Sequence, residues 1–348
     1  MLYDTVGEMA HVLNLSGGYV WAACQDGITA EELVAELVEA GMGDAARTRA
    51  EVAQLLAMLT EQGVVDRTPL APPKACDPAP VDDAPAGSVF AIIADGVRFR
   101  SADPALLDAV DGLLGSMVST REATVELVLT RRDDGGIAMT GARSWTSPTL
   151  DGFLDGLPTQ LNQIAAESSA CLTLHAGCVR SPAGETVLLP AVSGSGKTTL
   201  TAALVQAGWH YGSDEAVGVR DGSLEAVPYP KPLVLDATSR ALLSLGESAS
   251  PNARVHEVQP GAPVLVDSAG PVGRVVLPRY EPGSDVTLEP PLEPKAAALA
   301  VLEHALNLRI VGEPGLRAIC ELAERVPVQR FVHGDALAAA ASLSHGQG

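Results

Sequence analysis

The residues most able to do chemistry lie in one short run, Ser193-Gly194-Ser195-Gly196-Lys197-Thr198-Thr199. Thr186-Val187-Leu188-Leu189, a short apolar stretch with strand character, leads through Pro190 into it, and a helical run from Leu200 to Ala207, closed by Gly208, follows. Strand, glycine loop, Lys-Thr and helix is the context in which such a loop holds phosphates. Glycines let successive backbone N–H groups turn toward one anion, and the helix N-terminus adds its partial positive charge at the same point. Lys197 reaches terminal phosphates, and the Thr198 hydroxyl can hold Mg²⁺. The cofactor-binding residues are therefore expected to be Ser193, Gly194, Ser195, Gly196, Lys197, Thr198 and Thr199, holding phosphates with Mg²⁺ beside them. Ala191 stands where the GxxxxGK[ST] pattern has its first glycine.

Two flanking features narrow the reaction. Leu172-Thr173-Leu174-His175-Ala176-Gly177 places His175 at the end of the strand before the loop's hairpin. Downstream, Trp209-His210-Tyr211-Gly212-Ser213 delivers Asp214-Glu215 to the end of a strand expected to neighbour the loop. Two carboxylates there suit two tasks, one binding metal and the other taking a proton from an attacking hydroxyl; otherwise they are solvated acids of a turn. Lys231, Arg240, Arg254 and Arg274 are candidate cations for a transferring phosphoryl group, and the sequence does not choose between them. His210 reads as a core or edge residue. His11, His256, His304, His333 and His345 show no ligand spacing with cysteines or acids. Leu302, Leu306 and Ile310 read as helical core.

The elements that must position these residues are legible in part. The 348 residues suffice for about two domains, and 47% hydrophobic with 19% charged residues is a globular balance. Six prolines between Pro69 and Pro85 mark an extended linker. The division is 1–67, a linker at 68–86, and 87–345, the last split into a small sheet region at 87–150 and a main body at 151–345. In the first part Thr29 and Glu32 form a capping box ahead of Leu33, Val34, Leu37 and Val38. A second helix from about Thr48 ends at Gly63, and Val64-Val65 reads as a returning strand, a winged-helix type of module. Val89–Ile93 and Val97–Phe99 flank Asp95-Gly96, a hairpin signal. Thr124–Leu129 is a further strand, 150–164 a helix, and Ala336–Leu343 a last helix with a frayed end at 344–348.

Charge limits the partners. Net charge is -20, and residues 1–67 hold 3 basic against 11 acidic side chains, which argues against nucleic acid and anionic membrane. No apolar window reaches the ~18 residues of a membrane span. Five cysteines, odd in number and without CxxC pairs, fit reduced thiols in a cytosol, and the first residues do not read as a secretory signal.

The N-terminal residues Leu13-Asn14-x-x-Gly17-x-x-x-Trp21, Asp26-Gly27-x-Thr29 and the Leu-rich helix ending in Gly63-Val64 resemble the PqqD-like family. The resemblance implies a domain that binds the leader of a ribosomally made precursor peptide, the peptide adding a strand to a sheet edge. The larger part resembles the C-terminal domain of the HPr kinase/phosphorylase family through Leu174–Gly177, Ser193–Thr199, Ser213-Asp214-Glu215, Pro228-Tyr229-Pro230-Lys231-Pro232-Leu233 and, in the tail, Val326–Phe331. This implies an α/β, PEP-carboxykinase-like P-loop kinase fold that moves the γ-phosphate of ATP to a hydroxyl. Carried over, Asp214 is the base with His175 assisting, Lys197 holds the phosphates, and Thr198 with Glu215 holds Mg²⁺. Glu215 replaces the second aspartate of the family pattern, and the glycine-rich signature of true HPr kinases is missing after it, which argues against HPr as the acceptor. The resulting expectation is a cytoplasmic kinase of a Ser/Thr-type hydroxyl on a precursor peptide. A kinase of a small hydroxyl metabolite with a regulatory N-terminal domain, or a nucleotide-binding scaffold that presents a peptide, are the alternatives. Relatives of this fold often assemble, so a homo-oligomer is a further expectation.

Overall fold

The structure is a computed structural model, and it describes residues 2–4, 9–11, 29–39, 44–61, 84–192, 194–245, 255–256 and 263–345. The chain divides into two compact units, Met1–Asp77 and Pro78–Gly348.

In the first unit, β1 (Leu2–Asp4) pairs antiparallel with β2 (Met9–His11), a hairpin the sequence reading did not contain. Helix α1 (Ala30–Glu39) begins with a reciprocal cap. The Thr29 amide donates to Glu32 Oε2 (2.8 Å), and the Glu32 amide donates back to Thr29 Oγ1 (3.3 Å). Helix α2 (Ala45–Glu61) starts three residues before Thr48, because Asp44 accepts from the Ala46 amide and caps it there. Leu33 and Val34 of α1 and Val52 of α2 are buried. Gly17, Trp21, Asp26, Gly63, the strand expected at 64–65 and most of the proline-rich segment lie outside the described residues.

The second unit opens with a five-stranded open sheet, ordered as the chain runs: β3 (Ala86–Ile92), β4 (Asp95–Ser101), β5 (Val125–Arg131), β6 (Ile137–Gly141) and β7 (Trp145–Ser147). β4 and β5 run parallel, bridged by α3 (Pro104–Leu114), and α4 (Leu150–Ala166) follows the last strand. The hairpin turn falls at Ile93-Ala94 and not at Asp95-Gly96. Ile93 itself takes a positive φ of 54°, while Gly96 sits inside β4, where a Cβ would stand 2.2 Å from the Glu122 carbonyl oxygen.

The main sheet uses β8 (Leu172–Leu174), β9 (Ala176–Arg180), β10 (Thr186–Pro190), β11 (His210–Ser213), β12 (Val217–Val219) and β13 (Glu225–Val227). Helix α5 (Lys197–Gln206) connects β10 to β11. After β13 come β14 (Leu233–Val234), α6 (Ala237–Leu242) and β15 (Val255–His256), which pairs with β14. The long β16 (Gly270–Tyr280), β17 (Thr287–Leu288), α7 (Pro294–Leu302), α8 (Leu308–Val311), α9 (Glu313–Arg325), β18 (Val328–His333) and α10 (Ala336–His345) complete the chain. The sheet order is β11-β9-β10-β16-β13-β12-β8, with β18 on β16 and β17 on β18.

Consecutive apolar residues of the central strands go to opposite faces, so both faces are covered. Val187 and Leu189 pack with Leu200, Leu204, Trp209 and the alanines of α10, whereas Leu188 packs with Val301, Ala318 and Leu322 of α7 and α9. Leu306 and Ile310 are exposed, contrary to their reading as core. The continuous helix their spacing assumes is broken: α7 ends at Leu302, Leu306 lies between helices, and Ile310 is in the four-residue α8. Among the described residues no helix is long and apolar enough to cross a membrane.

Candidate functional site

β10, β16 and β18 run parallel. β11 runs the same way, because β9 lies antiparallel to both β10 and β11. The C-terminal ends of four strands therefore share one rim: Pro190 before the glycine loop, Tyr280, His333, and Ser213 before Asp214-Glu215. The carboxylate strand is not the loop's direct neighbour, since β9 stands between them. Because β9 begins at Ala176, it brings His175 to the same rim. A cleft of about 1310 Å³ lies along this rim, lined by the loop, His175, Glu215, α6 residues, Tyr280, and His333 to Ala336.

Helix α5 begins at Lys197, directly after Gly196, whose φ of 82° suits glycine. A Cβ there would meet the Tyr280 Cβ at 3.1 Å. Lys197 is only 6% exposed, and its ammonium donates to the Asp214 backbone carbonyl. Thr198 Oγ1 donates to Asp214 Oδ2 at 3.0 Å. Thr199 Oγ1 shares a hydrogen bond with Ser239 Oγ (2.7 Å), tying α5 to α6. Ala191 is buried, and Gly194 and Ser195 line the cleft, while Ser193 lies outside the described residues.

The two acids have different surroundings. Asp214 is 3% exposed, and its Oδ1 has no hydrogen-bond partner among the described residues. Glu215 has a side chain 35% exposed and faces the cleft. Its Oε2 lies 3.6 Å from the ammonium of Lys231, a buried lysine, and its Oε1 lies 3.6 Å from His175 Nδ1. His175 Nδ1 is also 2.9 Å from the Glu215 backbone oxygen. A carbonyl only accepts, so Nδ1 carries the proton and Nε2 of the neutral ring keeps its lone pair. Burial holds the His175 pKa below its ordinary value, with the Lys197 charge adding to the effect and Glu215 opposing it.

The geometry thus gathers Lys197, Thr198 and Asp214 in one buried contact, and His175, Glu215 and Lys231 in a second, more open one. Of the other candidate cations, Arg240 lines the cleft, Arg274 pairs with Glu185 (3.2 Å), and Arg254 lies outside the described residues. Two lining residues were missed by the sequence reading. Tyr280 attracted no notice, and His333 lacked any ligand spacing, although the tail resemblance at Val326–Phe331 stops two residues short of it. His304, also set aside, accepts from the His175 amide through its backbone carbonyl (2.7 Å) and so helps place it.

Residues 1–65 match the family described as Coenzyme PQQ synthesis protein D (PqqD), so the chain carries an N-terminal PqqD domain. A comparison with curated proteins finds no match.

Proposed function

We propose that this protein is an ATP-dependent kinase that phosphorylates a hydroxyl of a ribosomally made precursor peptide, with the N-terminal domain holding the peptide. The observation that carries the catalytic half is the meeting of Lys197 and Thr198, at the N-terminus of α5, with Asp214 on the rim that also bears His175 and Glu215. A glycine loop opening a helix, with a lysine and a hydroxyl at its first positions, is chemistry for a nucleotide's phosphates. The peptide half is supported by the PqqD match, which points to a peptide-binding role in precursor-peptide modification.

The geometry favours exchanging the two carboxylate roles expected from the family resemblance. Asp214 is buried against the Thr198 hydroxyl, and its unpartnered Oδ1 gives this pair the oxygen donors a Mg²⁺ ion takes. Among the described residues no three His, Cys, Asp or Glu side chains cluster as a metal site, so the protein's share would be these two groups, with phosphate oxygens completing the set. Bound Mg²⁺ would supply charge neutralisation to the transferring phosphoryl group. Glu215, open to the cleft, is the residue placed to accept the proton of an incoming hydroxyl. Lys231 holds it from one side and His175 from the other, and His175 Nε2 offers a second proton acceptor.

The test is intact-mass analysis of leader-bearing precursor peptides incubated with the enzyme and Mg²⁺-ATP. The expected result is a gain of one phosphate, abolished by Lys197→Ala and by removal of residues 1–67. Phosphorylation that persists in the truncated protein would sink the peptide-holding role, and no ATP binding at all would sink the kinase reading.

A further inference from the structure

The catalytic groups crowd one end of the cleft, while the other end carries a histidine with no task. His333 closes β18 and is 1% exposed, yet neither Nδ1 nor Nε2 has a hydrogen-bond partner among the described residues. Burial holds the His333 pKa below its ordinary value, while the Asp335 carboxylate charge and, less, the Asp335 backbone oppose it. The nearby polar groups are already spoken for. Asp335 Oδ1 accepts from the Leu337 and Ala338 amides and caps α10, and the His333 carbonyl accepts from the Glu281 amide. The ring is fixed between Tyr280 (centroids 5.8 Å apart) and Phe331 (5.7 Å), so rotation does not rescue it. A buried imidazole whose two nitrogens meet no well-formed hydrogen bond among the described residues carries a desolvation cost that a matching ligand would reduce.

Its location says which ligand. A Cβ on Gly196 would stand 3.7 Å from His333 Cε1 and 3.1 Å from the Tyr280 Cβ, so both residues lie directly against the loop. They are register partners at the ends of β18 and β16, on the opposite side of β10 from β11 with Asp214 and Glu215. A phosphate chain whose terminal group faces the two acids leaves its other end toward Tyr280 and His333. Tyr280, 46% exposed, presents a ring to the same cleft.

We infer that Tyr280 and His333 form the subsite for the nucleoside half of the nucleotide. The Tyr280 ring provides a face for the flat base, and one His333 ring nitrogen meets a polar group on the base edge or the sugar. The subsite rests on the nucleotide reading of the loop and adds what distinguishes a nucleotide from a bare phosphate chain.

The experiment is calorimetric titration of the full chain with Mg²⁺-ATP and, separately, with Mg²⁺-tripolyphosphate, for the wild type, His333→Phe, His333→Gln, Tyr280→Ala and Lys197→Ala. Wild type should bind ATP more tightly than tripolyphosphate. His333→Phe should weaken ATP by about tenfold while leaving tripolyphosphate unchanged, and Tyr280→Ala should act in the same direction. His333→Gln, which restores a donor and an acceptor, should recover part of the loss and guards against a folding artefact of the phenylalanine. ATP variants lacking either the 6-amino group or the 2′-hydroxyl then separate base from sugar, the one that His333 meets losing its sensitivity to His333→Phe. Equal weakening of both ligands, or equal wild-type affinities, overturns the subsite while phosphate binding by the loop stands. If wild type binds neither ligand, the nucleotide reading falls and the subsite with it.

Discussion

Asp214→Asn should make the ligand-free protein more stable and leave it inactive. Asp214 is 3% exposed, accepts one hydrogen bond from Thr198 Oγ1 and leaves Oδ1 without a partner among the described residues. An unsatisfied buried polar group costs about 1–3 kcal/mol, more when charged. Lys197, whose ammonium rests on the Asp214 carbonyl, offsets part of that cost. Asparagine has the same shape, and its amide oxygen can still accept from Thr198 while the charge is gone. A net gain of about 1 kcal/mol remains, which for a unit of this size raises Tm by about 2–4 °C. Thermal melts without nucleotide or divalent cation measure this, and the same melts with Mg²⁺-ATP measure ligand stabilisation, which the variant should lose. A lower Tm for the unliganded variant would show that the carboxylate is well satisfied where it sits. A Mg²⁺-ATP shift equal to that of wild type would remove Asp214 from the cation's side of the cleft.

Asn307→Ala should destabilise the protein by about 3–4 kcal/mol, read by denaturant melts. The side chain accepts from the Thr173 amide and donates to the Ser168 and Cys171 carbonyls and to Thr173 Oγ1, all buried, and its loss strands several of them at about 1 kcal/mol each. Acid should also weaken the fold. His175, His304 and His333 all have folded pKa values held below the ordinary ~6.5, in each case chiefly by burial. The unfolded chain then binds more protons below that value, so stability is full above about pH 6.5 and falls as pH drops through it toward the folded values. Melts from pH 7.5 to 5 should show a declining Tm, and His304→Gln should flatten the decline. An unchanged Tm would mean these rings charge freely in the native state.

Much of this site could be read before any coordinates because its parts are local. The loop at 193–199 declares itself through glycines, Lys-Thr and the apolar strand before it, and Thr29 with Glu32 form the cap their spacing requires. What escaped reading depends on distant packing. Asp95-Gly96 looks like a turn, but the glycine is there because the Glu122 carbonyl crowds it, and the turn falls on Ile93 instead. The different surroundings of Asp214, buried, and Glu215, open to the cleft, are invisible in adjacent letters, since β11 simply ends between the core and the cleft. Tyr280 and His333 come together only because β16 and β18 pair in parallel, which no spacing along the chain reveals.

Tyr229 joins the two sheets of the larger unit. Its ring belongs to the apolar core that also holds Phe90, Phe99 and Phe153, and its hydroxyl donates to Asn162 of α4, two residues before Lys231 approaches Glu215. The five-stranded sheet contributes no side chain to the cleft, yet it is the foundation on which one wall stands. Natural variation in that sheet would therefore shift the Lys231–Glu215 contact at a distance, and paring the protein back to its cleft-lining strands would leave Lys231 without a footing.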